Sequence, residues 1–238
     1  AILSKMEKHT KIKFFRSQGY RVLCPRSSTN STMHKSRAEM RLKMTTREKI
    51  AKIIRAVTVP PVMVYLLLTI LYFAKDGIIA GPSELLLSIL FLGIVPLFAY
   101  PLSFFIPSWK SKGREWQRKL AFILTFAGYL VAVVYGLIAH ASYNLMLIYH
   151  TYFISVLILI LFNKFIKIRA SGHACSIAGP LFLMIYFIGW KSVLPCILLF
   201  AIVTWASLEL KRHTFRELIW GELTAAVAFV ISLTFIKL

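Results

Sequence analysis

The sequence predicts an all-α protein, a polytopic transmembrane helical bundle of about six to seven spans. Hydrophobic residues make up 58% of the chain, which is more apolar surface than one small soluble core buries. The apolar runs are about 17 to 23 residues long, enough for helices to cross a hydrocarbon layer of about 30 Å. They lack the alternation of barrel strands, so helices are expected to satisfy the backbone in lipid.

Seven apolar segments follow one another along the chain. Pro60 and Pro61 in the first, and Pro96 and Pro101 in the second, predict kinks and not new boundaries. Only residues 189–192 separate the fifth segment from the sixth, which predicts a tight hairpin. The segments cover residues 56–73, 84–106, 119–140, 143–162, 174–190, 192–208 and 218–236.

The first 43 residues differ in composition from the rest. They hold 11 Lys and Arg against 2 Glu and a polar cluster at 27–32, so residues 1–43 are expected to be a disordered basic extension without the apolar core of a signal peptide. Residues 44–238 then form the transmembrane domain. At its start, Thr45 and Glu48 have the spacing of a capping box, which predicts the beginning of an interfacial helix.

Charge indicates both orientation and partners. The basic loops at 107–118, 163–172 and 209–217 fall on the side of the basic N-terminus, and the opposite loops are almost uncharged. The positive-inside rule therefore predicts a cytoplasmic N-terminus and, with seven spans, an external C-terminus. A net charge of +20 concentrated in short loops suits membrane lipids, and no nucleic acid partner is expected. The three cysteines form no spaced set, so neither a disulfide framework nor a zinc site is expected.

Two polar loops interrupt the apolar pattern, at residues 167–173 and 213–217. Each opens an apolar segment, and two predicted crossings separate them, so His173 and His213 are expected on the same membrane face. Glu217 follows His213 by four residues, on the same side of a helix, where it could fix the imidazole tautomer. Two histidines, a carboxylate and several cations at one surface suit phosphate chemistry, because phosphoryl transfer depends on positioning and electrostatics.

These motifs resemble those of the type 2 phosphatidic acid phosphatases, a membrane branch of the vanadium-haloperoxidase-like phosphatases. That family carries three motifs, KxxxxxxRP, PSGH and SRxxxxxHxxxD. The residues 170–173 (Ala-Ser-Gly-His) resemble the second, with alanine for proline. Ala206, Ser207, His213 and Glu217 resemble the third, with alanine for serine, serine for arginine and Glu for Asp. The first is missing in its usual form, and the resemblance covers roughly residues 140–236.

The resemblance implies a role for each site residue. His213 would attack phosphorus to give a phosphohistidine, His173 would protonate the leaving group and later activate water, and Glu217 would orient His213. No metal or cofactor is expected. The expected phosphate-binding residues are Lys167, Arg169, Ser171, Gly172 and Arg212.

The sequence therefore predicts a metal-independent lipid phosphate phosphatase acting on a phosphatidate-like or polyprenyl (di)phosphate. The alternative is a catalytically degenerate membrane protein that binds or transports a phosphorylated lipid, because Ser207 cannot replace the charge of the motif's arginine. Glu222 is a further candidate, since a carboxylate inside the last span is costly in lipid and needs a partner.

Overall fold

The computed structural model describes residues 45–105 and 113–236. Within these residues the chain is helical and contains no strand, which confirms the predicted all-α class. A π-helical turn, Leu90–Ile94, joins α3 to α4, and another, Leu161–Ile166, extends α7. The helices are α1 (Thr46–Val57), α2 (Pro60–Ala74), α3 (Pro82–Ile89), α4 (Val95–Leu97), α5 (Ala99–Phe105), α6 (Gly113–Ile138), α7 (Tyr143–Ile160), α8 (Gly172–Ile188), α9 (Trp190–Glu209) and α10 (Phe215–Ile236).

In the described part of the chain, five helical stretches are long and apolar enough to cross a membrane, and six if α1 and α2 together form one bent span. The fifth predicted segment corresponds to α8, a shorter apolar helix of 17 residues. The five stretches are Pro82–Ser103, Lys119–Ile138, Tyr143–Ile166, Trp190–Glu209 and Phe215–Phe235. The expected basic extension at 1–43 lies outside the described residues, as do Lys110 and Lys112 of the basic loop.

The predicted capping box is confirmed at the start of α1. The Thr45 hydroxyl accepts a hydrogen bond from the Glu48 amide at 3.2 Å, and the Glu48 carboxylate accepts one from the Thr45 amide at 2.9 Å. The chain does bend at Pro60 and Pro61, by 56°, but the expectation that no new boundary lies there is wrong, because α1 ends at Val57 and Pro60 begins a new helix. Proline lacks the N–H that an interior position needs but fits the first helical turn.

The predicted tight hairpin between the fifth and sixth segments is confirmed at Gly189. This residue has φ of +77°, in the left-handed region that glycine tolerates best, and it ends α8 directly before α9 begins. The Ser192 hydroxyl donates to the carbonyl oxygens of Met184 and Gly189 at 3.1 and 2.8 Å. The turn therefore returns the chain along α8, and the start of α8 lies at the same end of the bundle as the end of α9.

Helix packing brings the ends of α1 and α9 together with the starts of α8 and α10. α8 packs against α2, α9 and α10, α10 packs against α7, and α1 packs against α9. The buried core lies mainly between α2, α6 and α7, with Leu67, Leu71, Leu145 and Leu147 fully buried. Large apolar side chains such as that of Trp190 remain exposed on the outside, where lipid would cover them.

Candidate functional site

The two polar loops singled out from the sequence lie side by side. The Ser171 amide donates to the Glu217 carbonyl oxygen at 2.9 Å, which joins the start of α8 to the start of α10. Each helix start is capped by its own side chain: the Ser171 hydroxyl accepts from the Ala174 amide at 3.2 Å, and the Thr214 hydroxyl accepts from the Glu217 amide at 3.3 Å. Both motifs therefore open helices at one place in the bundle.

Gly221 allows this close approach of α8 and α10. A Cβ at this position would clash with the Ser171 carbonyl oxygen and would lie 3.0 Å from the Ala174 Cβ. Gly221 is one helical turn after Glu217, so the contact sits directly behind the paired motifs. The sequence analysis missed it, since a single glycine in an apolar segment carries no signal of what it faces.

His213 and Glu217 form a pair at the start of α10. Nδ1 of His213 lies 3.0 Å from Oε2 of Glu217, and both side chains are largely buried. An ionised carboxylate only accepts hydrogen bonds, so Nδ1 carries the hydrogen. In the neutral ring Nε2 then holds the free lone pair. Arg169 also approaches Glu217, at 3.6 Å, but its side chain is 77% exposed, so solvent screens this pair.

His173, the second residue of α8, has a different environment. Its Nε2 is buried and has no hydrogen-bond partner among the described residues. Burial first, and then the charges of Arg55 and His213, lower the pKa of His173 to about 3. The ring is therefore neutral at neutral pH.

Arg55, in the last turn of α1, is the site residue that the sequence analysis missed. Its Nη1 donates to the buried Ser207 hydroxyl of α9 at 2.8 Å. α1 therefore places a guanidinium beside Ser207, which carries no charge of its own. A cation near the end of an interfacial helix is usually a membrane anchor, and the sequence held no signal that α1 folds onto α9. We call Arg55, His173, Ser207, His213 and Glu217 the polar cluster.

The remaining predicted phosphate-binding residues surround the polar cluster to different degrees. Ser171 is buried at the start of α8, and Gly172 follows it. Arg212 is exposed, and its charge lies close enough to Arg55 to repel it. Lys167 is exposed in a left-handed conformation with φ of +61° and makes no hydrogen bond or ion pair to the cluster. Of the predicted cations, Arg169 and Arg212 therefore lie near the cluster, and Lys167 does not contact it.

Glu222 is half-buried in α10 and has no hydrogen-bond or ion-pair partner among the described residues. It borders a small cavity that His173 and Ser207 also line, with a volume of about 10 Å³, roughly the space that one water molecule needs. Among residues 45–105 and 113–236, no three His, Cys, Asp or Glu side chains lie together as a metal site.

The apolar spans and the buried polar cluster at one end define the class of protein: an integral membrane protein with a helical bundle. Comparisons with known protein families, with curated proteins and with solved structures find no match to this chain. The side of the membrane on which the N-terminus lies stays a prediction from loop charge, and the roles of the cluster residues stay predictions as well.

Proposed function

We propose that the protein is a membrane phosphatase that hydrolyses a phosphorylated lipid through a phosphohistidine. The observation that carries the proposal is the His213–Glu217 pair. A second histidine, His173, and the guanidinium of Arg55 belong to the same cluster. Glu217 holds Nδ1 of His213, so Nε2 is left as the nucleophile. A lipid substrate fits a cluster at the end of an apolar bundle, where the headgroup reaches the cluster and the tail stays among the helices.

Several groups are available for the phosphoryl oxygens. Arg55 and Arg212 supply cations, and Arg169 needs only to leave a solvent-screened pair with Glu217. The amides of Gly172 and His173, at the start of α8, have no hydrogen-bond acceptor among the described residues. Helix N-termini of this kind favour anions through their free N–H groups and the helix dipole.

The reaction balances with two histidines and one water. Nε2 of His213 attacks phosphorus as the bond to the lipid oxygen breaks, and the leaving oxygen takes a proton from His173. His173 then removes a proton from water, the water oxygen attacks phosphorus, and the P–N bond breaks to release phosphate.

His173 needs the substrate to acquire its proton. Its pKa of about 3, lowered first by burial and then by the Arg55 charge, leaves it neutral at rest. A bound phosphate offsets that charge and raises the pKa of His173, since an opposite charge nearby favours the protonated ring. A phosphate monoanion could then supply the proton that His173 passes to the leaving oxygen.

The same low pKa favours one second candidate, a protein that binds a phosphorylated lipid without hydrolysing it. Without a proton on His173, the leaving oxygen would have no donor, while the arginines and α8 amides would still bind phosphate. The two functions differ in whether phosphate is released.

Phosphate release by purified protein from a panel of lipid phosphates, with and without a chelator, tests the proposal. His213→Ala should abolish release because it removes the nucleophile, whereas Glu217→Gln should leave partial activity. His150→Ala is the matched control: His150 bonds the Met146 carbonyl oxygen of its own helix, at 2.8 Å, away from the cluster.

Equal release by wild type and His213→Ala would overturn the proposed chemistry. Saturable binding of lipid phosphate without any release by the wild-type protein would favour the second candidate. Capture of an acid-labile phosphoenzyme in wild type, and its loss in His213→Ala, would identify the intermediate.

A further inference from the structure

The side chains of α1 fall on three different sides of the helix. Ile50, Ile53 and Val57 are spaced by three and four residues, so they form one apolar row, and they are 46, 63 and 59% exposed. Lys49 and Lys52, three residues apart, are exposed on a neighbouring side. An exposed apolar row beside a basic side is typical of helices that lie in a membrane interface.

The third side attaches α1 to the bundle. Ala51 is fully buried, and Ile54 packs on the apolar cluster that includes Val203 of α9. Among the described residues, the bond from Arg55 to Ser207 is the one side-chain hydrogen bond between α1 and another helix. The helix that presents the apolar row on its outer side therefore also brings a guanidinium to the polar cluster.

No acidic partner holds Arg55 in the polar cluster. It forms no ion pair with any carboxylate of the described residues, and its hydrogen-bond partner Ser207 is uncharged. One such hydrogen bond must compete with water. At its C-terminal end α1 is bent by 56° from α2, so it does not simply continue that helix. The position of Arg55 therefore depends on what holds α1 against the bundle.

Charge identifies the surface that fits the outer sides of α1. The helix carries four cations, Arg47, Lys49, Lys52 and Arg55, against the single acid Glu48, and that carboxylate is used in the capping box. A Lys or Arg at an anionic membrane surface strengthens binding by about fivefold. A surface of zwitterionic lipid lacks this attraction, so anionic headgroups are the better match.

We infer that α1 binds an anionic lipid surface and thereby holds Arg55 at the polar cluster. Its apolar row enters the boundary of the hydrocarbon, and Lys49 and Lys52 meet the headgroups. Anionic lipid then regulates the site, because it keeps the guanidinium in place for the phosphoryl group. This regulation rests on the proposed function, whereas the placement of α1 does not.

Fluorescence quenching tests the placement. The probes are vesicles of phosphatidylcholine alone and of phosphatidylcholine mixed with phosphatidylglycerol, each holding a cysteine-free chain labelled at Ile53→Cys or Lys52→Cys. In the mixed vesicles a lipid-attached quencher should act more strongly on Ile53→Cys, and an aqueous quencher on Lys52→Cys. Lipid quenching of Ile53→Cys should fall in phosphatidylcholine alone. Equal quenching at the two positions, by lipid or by water, would overturn the placement.

The value of kcat on a soluble phosphate ester tests the link to the site, because kcat does not depend on how much substrate the surface attracts. It should be about fivefold higher in the mixed vesicles, the contribution expected for one cation. Lys49→Glu should remove this gain, and Arg55→Gln should lack it. In neutral detergent, which has no anionic surface, Lys49→Glu should match wild type.

Lys164→Glu is the matched control. Lys164 is an exposed lysine in the π-helical turn after α7, so the variant changes the surface charge equally without touching α1. It should keep the gain in kcat. Equal loss of the gain in Lys49→Glu and Lys164→Glu would indicate a general surface-charge effect and would overturn the inference.

The remaining outcomes separate this inference from the proposed function. Phosphate release that is equal in both vesicles, or a gain that persists in Arg55→Gln, would overturn regulation through α1 and keep the phosphatase. No phosphate release in any vesicle, with Ile53→Cys still quenched from the lipid, would overturn the phosphatase and keep the placement of α1.

Discussion

Gly221→Ala should destabilise the protein, because the new methyl group would press against the backbone of α8 at Ser171. The same displacement should disturb the polar cluster, which lies at this contact. The added Cβ would clash with the Ser171 carbonyl oxygen and lie 3.0 Å from the Ala174 Cβ. A backbone oxygen cannot rotate away as a flexible side chain can, so we expect an overpacking cost of about 1–3 kcal/mol. Alanine regains about 1 kcal/mol of helix propensity. The expected net loss is therefore up to about 2 kcal/mol.

Gly93→Ala is the matched control for this prediction. Gly93 also lies inside a helical stretch, but the nearest atoms to the position that its Cβ would take are 3.7 Å away, which is ordinary van der Waals contact. Both variants gain the propensity term, so the difference between them isolates the clash, about 1–3 kcal/mol. Thermal unfolding of the purified proteins in detergent measures it. Equal stability of the two variants would refute the close approach of α8 and α10 on which the candidate site depends.

Two further predictions address the cation and the orientation. Arg55→Gln should lower phosphate release by about ten- to hundredfold and raise the pH at which the His173 imidazole titrates by NMR, because a nearby cation no longer lowers its pKa. Lys52→Gln is the control, because it removes an exposed charge from the same helix, and it should change neither phosphate release nor the titration of His173. If both variants had the same effects, Arg55 would have no specific role. In a cysteine-free chain, Lys211→Cys should resist a membrane-impermeant thiol reagent in intact cells and react after permeabilisation, while Lys191→Cys reacts in both. The opposite pattern would place the polar cluster on the outer face.

The sequence alone determined the helical class, most helix positions, the capping box at Thr45 and the hairpin at Gly189. These depend on local properties: the length of an apolar run, a cap three residues from its partner, or a glycine that permits positive φ. The i,i+4 spacing of His213 and Glu217 is equally local, and the two side chains do pair. The bend at Pro60 is also encoded locally, and so is the helix boundary that the sequence analysis missed there, since proline fits the first turn of a new helix.

Tertiary structure decided which distant groups complete the cluster. Arg55 reaches Ser207 only because α1 packs on α9, and Gly221 matters only because α10 meets Ser171. Such contacts depend on how helices fit against one another, and side chains at many positions contribute to that fit. No local pattern in the sequence therefore specifies them, whereas apolar periodicity and capping can be recognised within a few residues.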